Sequence, residues 1–362
     1  MQKLLFVLFL IILQIHLHAQ NTIEFVNDTL GNEFYLEPVS DTIPNIDIFE
    51  DDAPLNITLT YDITSFIKNK SKGEYQDAIL QIHYNSTDSI TKNIQIKARG
   101  NFRKDNCFFP PIHLNFKSDP LENSGLTGKI KLVTHCSNST KYDSYILKEY
   151  LAYKLYNVLS GFSFKVRLLN ILYIDTGKKN KNYQRVGFLI EPLAFLSKRH
   201  ESIVLNPTII REDNVIAEDA DRVALFQYMI GNTDWRIKAG HNTKYIKPLS
   251  LITNKVIPVP YDFDFSGFVG TSYSFPQSWA SIETVKEREY LGYCRDSNEE
   301  YLKNINRFIE KEEEILTTIS SCKLISEREK NNLLKYIESF YKSLNKTDRF
   351  IFTLKNECRT DF

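Results

Sequence analysis

The feature that most constrains the fold is a change in the spacing of apolar residues along the chain. From Leu55, apolar and polar residues alternate, and Ile57, Leu59 and Tyr61 fall on one face, which is typical of a half-buried strand. Further strand-like runs occupy residues 79–84, 94–98, 112–116, 130–133, 166–174, 186–190, 242–246 and 256–258. Helical spacing is found at residues 144–159, 217–230, 299–320 and 326–344. A β-rich front followed by a mainly helical back predicts an α+β fold with two lobes.

The first residues predict export. Lys3 precedes an apolar run from Leu4 to Ile15, and Ala19 supplies the small residue of a cleavage site. The run is shorter than the roughly 20 residues that span a bilayer. We therefore predict a cleaved signal peptide, a periplasmic, cell-surface or secreted protein, and no stable membrane insertion after cleavage.

The remaining organisation follows from composition and pattern. Residues 21–54 are polar, acidic and punctuated by prolines, which indicates an irregular lead-in. Residues 55–192 form the predicted β-rich N-terminal lobe, and residues 193–362 the mainly helical C-terminal lobe.

Charge and cysteine content limit the classes of partner and site. The 45 Lys and Arg residues balance 45 Asp and Glu residues, so no overall field draws in nucleic acid, which we do not expect as a partner. The five cysteines are not spaced as zinc ligands. In an oxidising compartment they predict one or two disulfides, with at least one thiol unpaired and the pairing left open.

Two acidic motifs could carry chemistry. Asp234 lies in the segment 231–235 and is followed by Asn242, while Asp262 and Asp264 lie in the segment 260–267. An Asp among aromatic residues is costly to bury unless a cation, a metal or hydrogen-bond donors compensate it. These carboxylates could simply cap helices or turns, or pair with an Arg.

The chemical interpretation is a hard-oxygen site. The Asp and Asn side chains of one loop can meet the carboxylate of the next strand, and such oxygens suit Mg²⁺ or Mn²⁺. These ions neutralise charge as a phosphoryl group moves, while a metal-free Asp orients the acceptor hydroxyl. The sequence contains no Gly-x-x-x-x-Gly-Lys-Ser/Thr motif, so a P-loop enzyme is excluded. The hydrolase motifs Gly-x-Ser-x-Gly and His-Glu-x-x-His are also absent.

Four motifs together resemble the CotH (spore coat protein H) kinase-like family. They are Arg99–Asn101, Phe188–Glu191, Gly231–Trp235 with His241-Asn242, and Pro260–Asp264, in that order. The resemblance extends from about Leu55 to Gly270. It implies an atypical protein-kinase-like fold of two lobes. It also implies an exported phosphotransferase that moves the γ-phosphate of ATP to a protein or other hydroxyl acceptor with Mg²⁺ or Mn²⁺.

The resemblance also implies roles for the acidic residues. Asp234 corresponds to the catalytic Asp that positions the acceptor hydroxyl, and Asn242 to the metal-binding Asn of the same loop. Asp262 corresponds to the acidic residue that holds metal against the phosphates, with Asp264 as a secondary metal ligand.

Nucleotide-binding residues are expected in the first lobe. Lys131, on a strand before the helix that carries Glu149, is our candidate for the Lys–Glu pair of a kinase small lobe. Arg99 could bind phosphate from its turn, where Gly100 allows close backbone approach. Glu191, where the chain leaves the first lobe, could contact nucleotide or organise the cleft. Lys131 as an exposed strand residue, Glu149 as a solvated helix residue and Arg99 in a surface hairpin are the structural alternatives.

Two other functions remain open at this point. A catalytically inactive exported protein could keep the same fold as a binding or surface-assembly module. A metal-dependent phosphoesterase could use the same acidic residues, although His241 is the only histidine near them in sequence.

Overall fold

The alternating residues of the first half close a seven-stranded barrel, in a computed structural model that describes residues 48–85, 87–117, 126–207 and 209–360. The barrel strands are β1 (Leu55–Tyr61), β2 (Gln76–His83), β3 (Ser89–Ala98), β4 (Ile112–Asn115), β5 (Lys129–Val133), β6 (Val166–Asp175) and β7 (Tyr183–Ile190). Their order is β1-β2-β3-β4-β5-β7-β6, and the parallel pair β1–β6 completes the barrel. Successive side chains of a strand point to opposite faces. One face of each strand therefore fills the interior, where Ile57, Leu59 and Tyr61 lie buried as predicted.

The lead-in joins this barrel at its described end. The predicted signal peptide and residues 21–47 lie outside the described residues. Residues 48–54 are irregular, as predicted, and bury Ile48 and Phe49 in the barrel core. Asp51 accepts a hydrogen bond from Arg167 of β6 at 2.9 Å.

The helices and a small antiparallel sheet make up most of the rest. The helices are α1 (Ile63–Asn69), α2 (Phe102–Asn106), α3 (Lys141–Leu159), α4 (Leu193–Arg199), α5 (Ala217–Ile230), α6 (Asn298–Glu310), α7 (Glu312–Ser320), α8 (Glu327–Leu344) and α9 (Thr347–Glu357). The sheet has the order β10-β9-β8, formed by β8 (Ser202–Leu205), β9 (Thr243–Pro248) and β10 (Ile257–Pro260). The α+β prediction is therefore confirmed.

A second hydrophobic core surrounds α3. This helix contacts β7, α5 and α7, and its apolar residues join those of the later helices in one buried cluster. The ring centroids of Tyr153 on α3 and Phe263 after β10 are 4.7 Å apart. The helix that carries Glu149 therefore packs directly against the segment that carries Asp262 and Asp264.

Two predicted helix limits differ from the structure. The helix predicted to start at Ser144 begins at Lys141, and the Ser144 hydroxyl bonds to Glu329 instead. The helix predicted over residues 299–320 is broken at Lys311 into α6 and α7. Helices α6 and α7 both bury their apolar faces in the same core.

The cysteine prediction is confirmed. Cys107 pairs with Cys136, Cys294 pairs with Cys358, and Cys322 is free. The first disulfide fastens the end of α2 to the segment after β5.

All described residues belong to a single compact unit, and a division into two lobes stays a prediction. Among the described helices, none combines the length and apolar character needed to cross a bilayer.

Candidate active site

The loop after α5 places Asp234. Gly231 ends the helix with a φ of 62°, a left-handed conformation that favours glycine. A Cβ at this position would lie 2.2 Å from the Tyr336 hydroxyl, so space also requires glycine. Asn232 then shapes the turn, because its Oδ1 accepts from the Asp234 N–H at 3.0 Å and its carbonyl accepts from the Trp235 indole at 3.1 Å. The buried Trp235 anchors the loop beside Asp234.

Both oxygens of the Asp234 carboxylate are held. Oδ1 lies 2.6 Å from Nε2 of His241, and Oδ2 accepts from the amide Nδ2 of Asn242 at 3.0 Å. Arg236 and His241 exchange two backbone hydrogen bonds, which turn the chain back towards Asp234. The Asp234 side chain keeps 14% of its surface exposed, so it is fixed in orientation yet reachable by an acceptor. The hydrogen bond between Asp234 and His241 raises the pKa of the imidazole, whereas burial lowers it.

The β9–β10 pair brings Asp262 to the same place. Thr243 lies opposite Pro260 in the register, and the Tyr261 N–H donates to the Asn242 carbonyl at 3.0 Å. Asn242 immediately precedes β9 and Asp262 follows β10, so they share one end of the sheet. Burial, and then the charges of Asp262 and Asp234, raise the pKa of Tyr261 to about 12, which places both carboxylates near this ring.

Backbone strain marks the same two residues. Asn242 has a φ of 49° and Asp262 a φ of 66°, in the left-handed region that non-glycine residues rarely occupy. The Asp262 N–H donates to the Tyr153 hydroxyl at 2.9 Å, which helps to hold this conformation. Strained residues of this kind concentrate at functional sites. Asp234, His241, Asn242 and Asp262 are called the open acidic site below.

The oxygens of this site fit the donor type that Mg²⁺ prefers. The Nδ2 of Asn242 is bonded to the carbonyl and Oδ2 of Asp234, which leaves its Oδ1 as the acceptor atom. Mg²⁺ usually takes one or two protein carboxylates and completes its shell with water and phosphate oxygens. Within the described ranges, no three His, Cys, Asp or Glu side chains gather as a metal-binding group. Asn242 and Asp262 would therefore hold such an ion together with substrate oxygens.

Asp264 lies in a second, buried group. Its Oδ2 accepts from the Tyr273 hydroxyl at 2.9 Å and is 3.9 Å from Nη1 of Arg103. The same Nη1 lies 3.5 Å from Oε2 of Glu149, and the Arg103 Nη2 donates to the Thr134 carbonyl at 2.5 Å. Arg103, Glu149 and Asp264 are called the buried cluster below. The partners of Asp264 here are a phenol and a guanidinium, and its role as a secondary metal ligand stays a prediction.

Burial controls the protonation of this cluster. Burial, and next the charge of Asp264, raise the pKa of Glu149 well above its ordinary value, against the effect of Arg103. Burial, and next the charge of Asp262, raise the pKa of Asp264 to about 7. One guanidinium thus faces two carboxyl groups that resist ionisation together.

The predicted partner of Glu149 must be corrected. We expected Lys131 to form a kinase-like pair with Glu149, but the cation within 4.0 Å of Glu149 is Arg103. Lys131 is on β5, and its ammonium lies 4.4 Å from the centroid of the Tyr261 ring. Burial, and then Arg99, lower the pKa of Lys131 to about 8, while Asp262 opposes this. Lys131 therefore lies beside the open acidic site, and its contact with a phosphate stays a prediction.

Arg99 and Glu191 occupy different surroundings. The charge of Arg99 acts on Lys131 and Tyr261, so this residue also lies near the open acidic site. Glu191 is buried and accepts hydrogen bonds from Nε and Nη2 of Arg199 and from the Lys165 N–H. These contacts organise the chain after β7, and a contact between Glu191 and nucleotide stays a prediction.

Sequence reasoning missed Arg103. It stands on α2, which has five residues and would not be recognised from apolar spacing. The available signal was its place between the Arg99-Gly100-Asn101 turn and Cys107, because a disulfide at Cys107 fixes the segment that carries it.

Comparison with known proteins gives a structural likeness and no family. No protein-family model matches the chain, and no curated protein matches it. Among solved structures it is similar to the proinflammatory kinase CtkA of Helicobacter pylori, with 12% sequence identity and a TM-score of 0.38, over 72% of this chain and 94% of that chain. These values are too low to establish a shared family or activity. The resemblance to the CotH family stays a prediction from its motifs.

Proposed function

We propose that the protein is an exported kinase-like phosphotransferase that moves the γ-phosphoryl group of ATP to a hydroxyl acceptor, with a protein as the expected acceptor. The observation that carries the proposal is the open acidic site, in which a doubly held carboxylate lies beside a second carboxylate and a strained Asn. Export is supported by the leader sequence and by two disulfides, which persist in oxidising compartments.

Each residue has a defined task in this reaction. Asp234 orients the acceptor hydroxyl and takes its proton as the new P–O bond forms. The bond between the γ-phosphorus and the β–γ bridging oxygen breaks, and ADP leaves with that electron pair. Lys131 and Arg99 supply positive charge to the phosphates. A divalent ion held by Asn242 and Asp262 would supply charge neutralisation at the phosphate oxygens when bound.

The test is phosphate transfer from γ-labelled ATP with Mg²⁺. We expect Asp234→Ala and Asp262→Ala each to lower transfer by at least about a hundredfold, in the range of lost acid–base and electrostatic catalysis. Asp213→Ala is the matched control, because Asp213 is 64% exposed and pairs with Arg211 outside the site. Each variant should melt close to the wild-type temperature. Full transfer in both site variants would contradict the proposal.

A thermal-shift experiment separates this function from that of an inactive binding module. A ligand that binds only the folded state must stabilise it. An increase in melting temperature with ATP and Mg²⁺ but no transfer would indicate the binding module. Phosphate release from model esters without ATP would indicate a phosphoesterase.

A further inference from the structure

A row of basic side chains crosses the outer face of the barrel. In the strand register Lys97 of β3 lies opposite His113 of β4, and His113 lies opposite Lys131 of β5. Their strand neighbours Ile96, Leu114 and Ile130 are buried in the barrel, so these three residues share its outer face. Neighbouring strands are about 4.8 Å apart, so the row extends for roughly 10 Å.

Two more cations flank the row. Arg99 follows β3, and Lys129 starts β5. Burial, and then the charges of Arg99, Lys131, Lys129 and Lys97, lower the pKa of His113 to about 4. These five residues, Lys97, Arg99, His113, Lys129 and Lys131, are called the basic ladder.

The side chains of the basic ladder form no ion pair within the described part of the protein. There, no carboxylate lies within 4.0 Å of any of its nitrogen atoms. Two of its buried polar atoms, Nδ1 of His113 and Nε of Arg99, have no hydrogen-bond partner. Buried polar atoms are normally paired, and because Nε of Arg99 can only donate, it points to a missing acceptor, whereas Nδ1 of His113 donates or accepts according to its tautomer.

Aromatic rings hold the ammonium groups in place without cancelling their charge. The Nζ atoms of Lys97 and Lys129 lie 5.3 Å and 5.8 Å from the centroid of Tyr75. Those of Lys131 and Lys244 lie 4.4 Å and 5.5 Å from the centroid of Tyr261. A cation over a ring face is attracted to it but remains free to bind an anion.

We propose that the basic ladder binds a linear chain of phosphate groups, whose end at Lys131 lies next to Asp262. Successive phosphates carry charge along their length and so can meet each cation of the row. A nucleobase would have to stack on the Tyr75 or Tyr261 ring, and two lysine ammonium groups already lie close to each of these rings. An acidic peptide fits less well, because its side chains on one face repeat every ~6.7 Å, against the ~4.8 Å between strands. The delivery of the terminal phosphate to Asp234 rests on the function proposed above, whereas binding to the ladder does not.

The same chemistry could come from inorganic polyphosphate or from a nucleoside triphosphate. Calorimetric titration of the purified full chain with inorganic tripolyphosphate, ATP and adenosine distinguishes them. We expect tripolyphosphate to bind within about tenfold of ATP, with affinity falling as salt rises, and adenosine not to bind. Much tighter binding of ATP together with binding of adenosine would overturn the proposal, because it would show recognition of the base.

Variants connect this binding to the ladder. Lys97→Gln should weaken tripolyphosphate binding about three- to tenfold, the effect of one partly exposed charge contact, and His113→Gln about as much, because it removes the imidazole as a hydrogen-bond donor. Lys247→Gln is the matched control, since Lys247 shares β9 with Lys244 but its Nζ lies 3.4 Å from Asn254. Unchanged binding in both ladder variants, with native melting temperatures, would also overturn the proposal.

The outcomes keep the two proposals apart. Asp234→Ala should abolish transfer and leave tripolyphosphate binding intact. A wild-type protein that binds tripolyphosphate through the ladder but transfers no phosphate would refute the phosphotransferase and keep this site.

Discussion

The open acidic site and the buried cluster use the same kinds of side chain in opposite ways. At the open site, hydrogen bonds from His241 and Asn242 hold the carboxylate of Asp234 while it stays partly exposed. In the buried cluster, Glu149 and Asp264 share one guanidinium and are almost fully enclosed. The comparison teaches that the open site is arranged for reversible contact with a ligand, whereas the buried cluster is arranged to hold the fold around it.

The substitution expected to change stability most removes Arg103 from the buried cluster. Arg103→Met should lower the free energy of unfolding by about 3–5 kcal/mol, because it leaves two buried carboxyl groups without their cation. Asp262→Asn, at the open site, should change it by less than about 1 kcal/mol. Urea denaturation at pH 7 measures both. Equal effects of the two substitutions would remove the distinction between the clusters.

Removal of each disulfide tests whether the position of α2 affects the open acidic site. Cys107 and Cys136 are 29 residues apart and Cys294 and Cys358 are 64 apart, so replacing either pair by Ala should lower the free energy of unfolding by about 2–5 kcal/mol. Only the first pair fastens the segment that carries Arg103. Phosphate transfer, assayed at a temperature where both variants are folded, should fall in the Cys107→Ala/Cys136→Ala variant alone. Equal activity in the two variants would show that the position of α2 is irrelevant to the site.

The pH dependence of stability separates the clusters next. Burial, and then Asp262, raise the pKa of Asp264 from 3.8 to about 7, so the folded protein binds a proton there that the unfolded chain does not. Its contribution to stability is complete below pH 3.8 and is lost as pH rises through 7. Acidification from pH 7.5 to 5.5 should therefore add about 2 kcal/mol through this residue.

The difference between wild type and Asp264→Asn reports the contribution of Asp264 together with its effect on the pKa of Glu149. The comparison is needed because His135, whose pKa burial and then Arg185 lower to about 3, acts with the opposite sign and destabilises the protein as pH falls below 6.5. Urea titrations of both proteins at several pH values provide the measurement. Parallel pH profiles would mean that Asp264 is ionised throughout.

The smallest expected effect is on His241. Its hydrogen bond to Asp234 raises the pKa of the imidazole, so the charged form persists above pH 6.5. NMR titration of the ring protons should show this increase, and Asp234→Asn should return the pKa towards its ordinary value. A pKa of His241 that is the same in both proteins would place Asp234 away from the imidazole.

Among the described elements, the sequence predicted the strands other than β8, the helices α3, α5 and α8, one helical run over α6 and α7, and the cysteine chemistry, because these depend on local spacing. It did not predict α1, α2, α4 or α9. Ala217–Ile230 is helical over the predicted residues, and Ile57, Leu59 and Tyr61 share the buried face. Closure of the barrel depends on the pairing of β1 with β6, which are more than a hundred residues apart. No local pattern encodes such a pairing.

The candidate site was predictable in part for the same reason. Asp234, His241 and Asn242 lie close in the chain, so a single loop can bring them together. The partner of Glu149 was not predictable, because Lys131 and Arg103 are both basic residues that precede α3. Only the folded positions of α2 and β5 show which of the two reaches Glu149.

Helix α3 connects the two acidic groups mechanically. Glu149 and Tyr153 are four residues apart, so they project from the same side of this helix, one towards Arg103 and the other towards the backbone of Asp262. One residue before Glu149, the Lys148 ammonium lies 3.3 Å from the carboxylate of Glu329 on α8. A sliding or rotation of helix α3 would move both the Arg103–Glu149 ion pair and the turn at Asp262. A displacement of α8 would act on both through the Lys148–Glu329 contact.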